Sequence, residues 1–565
     1  MKSRCSILLL TVLVRAVSPA QNLFLEDLFF EVVGSELLLP TAIEFVDQNT
    51  ILVTQKEDGK VVVLDGSAVP PVALDLTVAT EGEMGILGIV RHPDFDRNKL
   101  IYLYHCRADK DGGAWIEDRL ETYRWDSGTK TLVLDSTIAI WGAEGWPTSQ
   151  YHHGGYLKIG PDRKLYVQHG DMMRFGVMEV NDPTGISGSN AAIYRLELDG
   201  SVPVDNPFAS SPIKNFQRAH TYGMRNGFGM AFDPLSDQLW YTENGPEIYD
   251  ELNIAEPGMN SGWHLIMGPD SRDADMQVNG GITYDEKDLF MLPGAHYADP
   301  VLSFLDTIGL TAIEFLWKTK FPDALRDKAI LCSTGTGRLF LLPVAKDRKG
   351  LDLPRLLADK VVDSVEERDL LVIGTGWGVT TDARVGPDGY LYVCSWQLGK
   401  VYRIRPKMET VDPTLLEVVR GVSSGSLPEL IESDDQYFTI QPGRVLFLSQ
   451  TPALVRLETT SPFSSISALS FSIEAACDSG SNVPMGVRMF NWSTGQYDLV
   501  ATQNMPNTDQ VFVSTFAKEG MDYVNPKDRK MLVEVSFGAD GSSLLFPWTA
   551  RIDDVSWTLT KQVPR

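Results

Sequence analysis

Short apolar runs, each opened by a tight turn, recur along the first two thirds of the chain. Every copy places Asp, Pro or Gly in the turn and follows it with a brief strand of Leu, Tyr, Val or Ile. The copies are FVDQNTILVTQKEDGKVVVLDG (45–66), HPDFDRNKLIYLYH (92–105), GPDRKLYVQHGD (160–171), FDPLSDQLWYTENG (232–245), FPDALRDKAILCSTGTGRLFLLPV (321–344) and VGPDGYLYVCSWQLGKVYRIRP (385–406). Proline presets φ, and Gly or Asp accepts the unusual φ that a tight reversal needs. The strands that follow are β-rich and short, and no unit of this size buries both of its faces alone. Units of this kind close around an axis as a propeller. The pattern predicts an all-β chain with a six-bladed β-propeller over 21–406. Two unrelated sandwiches are the alternative, and six similarly built copies argue against it.

Near residue 406 the pattern changes. Residues 407–426 read as a linker and a leading strand. Beyond them, ALSFSIEAA, GVRMFNWSTGQYDLV, QVFVSTFA, KMLVEVSFG and WTARIDDVSWTLT alternate apolar and polar positions between turns. Such alternation marks strands with one buried face, so 427–565 are expected to form a β-sandwich or jelly-roll domain. No cluster of potential catalytic residues falls there. Asn491-Trp492-Ser493 is a glycosylation sequon, relevant only in a eukaryotic secretory route.

The chain has 565 residues, 43% hydrophobic and 22% charged, which suits a folded protein of two domains. Lys2 and Arg4, the apolar run 7–14 and Ser18-Pro19-Ala20 read as a signal peptide over 1–20. That run is too short to span a bilayer, so a secreted or periplasmic protein without stable membrane insertion is expected. A net charge of −25 repels phosphate backbones and argues against nucleic acid. It suits calcium sites or a basic electron-transfer partner, and also plain solubility. Beyond Cys5 the cysteines are Cys106, Cys332, Cys394 and Cys477, widely spaced and without a CxxC pair. A cysteine zinc site or a disulfide-dense scaffold is therefore not expected, and bridges or buried thiols both remain open.

Three clusters carry candidate chemistry. Tyr151-His152-His153-Gly154-Gly155 stands before a strand that ends at Gly170-Asp171. A histidine there accepts a proton near neutral pH, and Asp171 across the hairpin can fix its tautomer. Either histidine also reads as a hydrogen-bonding turn residue. Arg225 and Asn226, in a Gly-rich stretch, suit an oxyanion or a quinone carbonyl, or a backbone-capping turn. Gly245-Pro246 offers carbonyls in a fixed turn, with Glu247, Asp250 and Glu251 after it. Carbonyls and carboxylates are what calcium requires, although acidic turns often only face solvent.

Together these clusters resemble the soluble quinoprotein glucose dehydrogenase and aldose sugar dehydrogenase family, a family related also to hedgehog-interacting-type propellers. The landmarks arrive in family order over roughly 28–406: EGEMGILGIVRHPDF (81–95), HHGGYLKIGPDRKLYVQHGD (152–171), IYRLELDGSVPVDNPF (193–208), GMRNGFGMAFDP (223–234), ENGP (243–246), DELNIAEPGMNSGW (250–263) and GPDGYLYV with GKVYRIRP near the end. The resemblance implies pyrroloquinoline quinone (PQQ) held with Ca2+ at the axial mouth, and an aldose oxidised to a lactone. By position, His152 is then the base and Asp171 its orienting partner. Arg225 polarises the quinone oxygen with Asn226 beside it, and Glu83 lies near the substrate. Gly245 and Pro246 offer carbonyls to calcium, and Asp250 matches an acid near a second calcium position. A small sugar substrate and a soluble electron acceptor such as a cytochrome follow as partners.

Departures from the family pattern bear on cofactor binding. The fifth-blade lysine is replaced within Ser333-Thr334-Gly335-Thr336-Gly337. The sixth-blade Arg pair is missing from Trp377-Gly378-Val379-Thr380-Thr381-Asp382, and the family's Gln is Phe228. Buried carboxylates need cations, and Arg174 and Arg338 are the candidates to compensate. Three functions therefore stand: a PQQ-dependent sugar dehydrogenase; a non-catalytic secreted propeller that binds a protein or polysaccharide; and a calcium-dependent lactonase-like hydrolase.

Overall fold

The computed structural model describes residues 21–142, 149–173, 190–212, 216–275, 284–335, 337–446, 450–478, 483–538 and 548–562. The expected signal segment, 1–20, lies outside them. Two compact units meet at residue 405/406.

In the first unit, six sheets follow one another along the chain, and each begins with four consecutive antiparallel strands or their equivalent. The first strands are Pro40–Phe45, Ile86–Arg91, Leu157–Ile159, Gly229–Phe232, Leu310–Phe315 and Thr380–Val385. Each touches the first strand of the next sheet, and the last touches the first. The result is a closed six-bladed β-propeller with these strands lining the axis. Each of the six repeats falls in its own blade. The sixth blade takes its outer strand, Leu28–Gly34, from the start of the chain.

No single core holds the ring together. Apolar side chains instead fill each seam between neighbouring blades. Tyr104 and Leu120 meet Leu157 and Tyr194 between the second and third blades. Trp240 and Phe304 meet Phe315 and Phe340 between the fourth and fifth. Burial on both faces explains why inner strands such as Ile51–Gln55 and Leu165–His169 are buried along their length.

Near the axis, polar side chains cap main-chain groups of the next blade. Thr41 donates to the Ile86 carbonyl (2.7 Å), and Tyr104 to that of His153 (3.3 Å). Gln168 donates to Thr242 (2.9 Å), Thr242 to Thr311 (2.9 Å), Thr311 to Thr380 (2.8 Å) and Thr381 to Pro40 (3.1 Å). Strand edges that would otherwise be unpaired in the interior are satisfied this way around the ring.

The second unit contains two antiparallel sheets. One orders Val422–Ser424, Phe438–Gln441, Ala550–Lys561, Ile466–Cys477 and Gln510–Phe516, with Met408–Val411 also on Ala550–Lys561. The other orders Leu415–Arg420, Ala453–Thr460, Lys530–Phe537, Pro484–Asn491 and Gln496–Asn504. Central strands bury alternate residues, among them Val455, Leu457, Val533 and Val535, the pattern of a β-sandwich. Residues 407–426, expected as a linker and a leading strand, supply three strands to the two sheets. Their composition reads as linker because Leu415–Arg420 is an edge strand with most side chains exposed.

All four cysteines beyond the N-terminal segment are buried, and Cys106, Cys332 and Cys394 are free thiols. Among the described residues no helix is long and apolar enough to cross a membrane.

Candidate active site

The HHGG turn leads the chain into the first strand of the third blade. His152 adopts a left-handed backbone with φ +64°, and Gly154 and Gly155 continue it at +64° and +91°. A Cβ on Gly155 would fall 2.6 Å from the Tyr104 ring, so only glycine lets the turn sit against the second blade. A left-handed backbone at a histidine is strained, and its neighbours hold it there. The His152 N–H donates to Glu83 Oε2 at 2.7 Å, and its carbonyl accepts from Met172 N–H at 3.3 Å.

His152 is buried, and its Nδ1 lies 2.5 Å from Asp171 Oδ1. Asp171 is fully buried, and both of its oxygens are engaged. Oδ1 also accepts from Met173 N–H (2.8 Å), and Oδ2 accepts from Trp263 Nε1 (2.8 Å). Its main chain is fixed as well, since its N–H donates to the Arg225 carbonyl and its carbonyl accepts from Asn190 (both 2.7 Å). The carboxylate therefore fixes the imidazole tautomer: Nδ1 carries the proton and Nε2 keeps its lone pair. Among the described residues Nε2 makes no hydrogen bond.

Arg225 stacks its guanidinium over Trp263, 5.5 Å from the ring centre, and donates from Nη1 to the Asn244 carbonyl (2.9 Å). Its Nε is buried without a partner among the described residues. Burial lowers the guanidinium from its ordinary value, against the opposing charges of Asp171, Glu83, Glu243 and Asp250. Asn226 donates to both Glu83 oxygens (3.1 and 3.2 Å), and its own oxygen is buried without a partner. Glu83 thus ties His152 to Asn226.

Behind Arg225, Glu243 accepts from Arg225 N–H (2.7 Å) and the Ser261 hydroxyl (2.8 Å). Burial raises its carboxyl to about 7. Glu251 faces it directly across the strand pair and is raised well above the usual range, by burial and by Glu243.

The axial mouth beside this cluster is a cavity of about 290 Å³. Each blade contributes to its wall, through Thr41, Leu87, Tyr156, Phe228, Thr311 and Thr381. Trp396 and Tyr151 add aromatic surface, and Glu83 is the carboxylate on the wall. Lys56 is the cation, with its ammonium donating to the Thr80 carbonyl (2.7 Å). The fifth- and sixth-blade wall carries Thr334 and Val379. Arg338 does not line the cavity, and its charged neighbours are Arg368 and Asp369. Arg174 lies outside the described residues. A larger cleft of about 560 Å³ lies at the third- and fourth-blade turns, but its Arg195 is already paired with Asp162 and Asp205.

The predicted residues His152, Asp171, Arg225, Asn226 and Glu83 are therefore one connected network beside the mouth, and Glu83 is the one of the five that lines the cavity. Gly245 and Pro246 join it through Asn244, whose N–H donates to the Asn226 carbonyl (2.7 Å). Neither the Gly245 nor the Pro246 carbonyl accepts a hydrogen bond among the described residues. Asp250 sits apart: Oδ1 accepts from Gly245 N–H (3.0 Å), and Oδ2 from Ile308 and Gly309 N–H (both 2.6 Å). Burial raises its carboxyl to about 6. Its oxygens are spent on three amides that fix the Gly245 turn against the fifth blade. Trp263, Glu243 and Lys56 were not singled out from sequence; Trp263 lay within a quoted motif, but nothing marked its indole as a partner for Asp171.

Comparison with known proteins agrees with this geometry. The family model for glucose/sorbosone dehydrogenase matches residues 37–403. The chain is 30% identical over 263 residues to quinoprotein glucose dehydrogenase B of Acinetobacter calcoaceticus, covering 42% of this chain and 52%, about half, of that protein. It is 27% identical over 402 residues to aldose sugar dehydrogenase YliI of Escherichia coli, covering 67% of this chain and 92% of that one. A solved structure of a putative oxidoreductase (glucose dehydrogenase) from Thermus thermophilus shares the fold, with a TM-score of 0.51 at 22% identity over 67% of this chain and all of that one. The propeller, its six motif-bearing blades and the model match over most of them place the chain in the glucose/sorbosone dehydrogenase family.

Proposed function

We propose that the protein is an exported PQQ-dependent dehydrogenase that oxidises an aldose or a related sugar alcohol group. The observation that carries this reading is the buried His152–Asp171 pair, with Trp263 holding the second carboxylate oxygen and Glu83 joining His152 to the wall of the axial cavity. Asp171 keeps the proton on Nδ1, so Nε2 is the atom that takes a proton from a substrate hydroxyl. Asp171 then stabilises the imidazolium that forms. The positive charge of Arg225 favours a nearby oxygen that gains negative charge, and the stacked indole keeps the guanidinium in place.

Aromatic walls from Trp396 and Phe228 suit a fused ring, and Glu83 on the wall links the cavity to Asn226 and His152. When bound, PQQ supplies the carbon that accepts hydride. Lys56 is the cation available on the wall for its carboxylates, so binding is expected to be weaker than in family members with the lysine and Arg pair. The Gly245 and Pro246 carbonyls are the proposed calcium ligands. Asp250 would act on calcium through the Gly245 turn it fixes. A sugar substrate and a soluble electron acceptor such as a cytochrome complete the reading.

The test is titration of the mature protein with PQQ and calcium, followed by dye reduction over a panel of aldoses. Saturable binding with sugar-dependent reduction is expected. His152→Ala should lower turnover by about 10²–10⁴-fold with the fold intact, and unchanged turnover would remove the base from His152. Absence of quinone binding would turn the reading to a propeller that holds a partner. Export is tested separately by N-terminal sequencing of the secreted protein, expected to begin at Gln21.

A further inference from the structure

A second polar cluster lies beside His152 and takes no part in the proposed chemistry. Cys106 ends the second strand of the second blade, Leu100–Ala108, and is the register partner of Asp118 on Trp115–Asp126. His153 comes from the HHGG turn, and His169 ends the third-blade strand Leu165–His169. All four side chains are fully buried. Ligand atoms of Cys106, Asp118 and His153 lie within 4.8 Å of one another. His153 Nδ1 stands 2.9 Å from Asp118 Oδ2, and His169 Nε2 stands 3.6 Å from the same oxygen. That His169 Nε2 is sealed from solvent and has no hydrogen bond among the described residues.

The outer nitrogens settle which atoms face inward. His153 Nε2 lies 2.9 Å from the Ser149 carbonyl, and His169 Nδ1 lies 3.0 Å from the Gly170 carbonyl. A carbonyl only accepts, so both outer nitrogens carry protons. Histidines that bind metal are oriented in this manner, with the far N–H on a main-chain carbonyl. Asp118 is oriented too, accepting from Trp115 Nε1 (2.8 Å) and the Tyr104 hydroxyl (3.0 Å). Around the cluster stand Trp115, Trp141, Met84 and Met172, which close it to water.

We propose that Cys106, Asp118 and His153 form the core of a site for a divalent transition metal, zinc by its donor set, and that His169 moves in from the Asp118 side as the fourth ligand to close it. One thiolate, one carboxylate and two imidazoles match zinc, and a site without an open position is structural rather than catalytic. Zinc bond lengths put neighbouring ligand atoms about 3.3–3.6 Å apart, so the Asp118–His153 contact must open by a few tenths of an ångström and His169, now near Asp118 alone, must close on Cys106 and His153. The charges balance. Without metal, His153 Nδ1 faces the Asp118 carboxylate and its Nε2 a carbonyl, so both nitrogens face acceptors. On binding, the Cys106 S–H proton and the His153 Nδ1 proton leave as zinc enters, so one dication replaces two protons and no net charge is added. Such a centre would fasten the second blade to the turn that carries His152.

The experiment is metal analysis of the full chain after dialysis against chelator, with cobalt substitution as the spectroscopic probe. About one zinc per chain is expected. Cys106→Ser and His169→Gln should each lose it, whereas His152→Ala should keep it. Cobalt-loaded protein should show a thiolate-to-cobalt charge-transfer band that Cys106→Ser abolishes. If the variants fail to fold, wild-type protein refolded with cobalt or with chelator gives the answer alone: the band appears in the first and not in the second. Wild-type protein that takes up neither zinc nor cobalt on refolding overturns the proposal, as does cobalt bound without the charge-transfer band, or metal retained in both variants.

Discussion

The most consequential single residue at the mouth is Asp171, because three donors converge on its two oxygens. An amide in its place has one acceptor for three donors. In either orientation it sets an NH₂ against an N–H or turns it toward His152, where it favours the wrong tautomer. Asp171→Asn is therefore expected to lower turnover about 10³–10⁴-fold while sparing quinone binding, as steady-state kinetics and titration will show. Trp263→Phe keeps the ring beneath Arg225 and removes one donor, so a loss of about tenfold is expected. Asp250 shows the limit of reading residues by type. A run of acids after Gly245-Pro246 suggests calcium, but only the fold reveals that three amides occupy this carboxylate.

Among elements, the inner-strand ends decide what the mouth can hold. The fifth-blade wall presents Thr334 half-buried where a cation would meet an anionic ligand. Thr334→Lys should tighten PQQ binding by about tenfold or more, as one charge-assisted contact is gained, and an unchanged titration would show that the wall does not meet the carboxylates. The strand pair Leu239–Glu243 and Ile248–Ala255 carries a pH dependence of its own. Glu243 and Glu251 face each other while buried, with Glu243 raised to about 7 and Glu251 raised well above the usual carboxylate range. The folded state thus holds protons that the unfolded chain releases in the ordinary carboxylate range. Stability from this pair is complete at acidic pH and is lost as pH rises through about 7. Thermal melts should fall from about pH 5 to about pH 8 by roughly 1–3 kcal/mol, and Glu251→Gln should flatten that slope. An equal slope in the variant would assign the dependence to other groups.

For the propeller as a whole, closure rests on the N-terminal strand. Leu28–Gly34 completes the sixth blade, where Phe30 packs edge-on against Trp377 (5.0 Å) and Tyr402 (5.9 Å). Glu31 lies between Arg403 and Arg405, which hold its carboxyl below the usual range although burial opposes them. Deleting residues through Gly34 leaves an open sheet edge and exposes the aromatic seam. The truncated protein is expected to lose its cooperative melt and its near-ultraviolet aromatic signal, and an unchanged melt would show that closure does not depend on this strand.

Sequence by itself determined the all-β class and the six-fold repeat, because a tight turn and a short apolar strand leave a local mark in every blade. It also picked out His152, Asp171, Arg225, Asn226 and Glu83, since their motifs are contiguous. What lay beyond it depends on contacts between distant segments. The outer strand of the last blade comes from residues hundreds of positions earlier. Trp263 reaches Asp171 only because the third blade curls back toward the axis. Residues 407–426 are strands because other strands pair with them, although their exposed side chains read as linker. Cys106 and Asp118 pair within the second blade and meet His153 and His169 only across a blade seam, with no spacing along the chain to announce it. Local chemistry selects turns and strands; closure of the ring decides which side chains share a site.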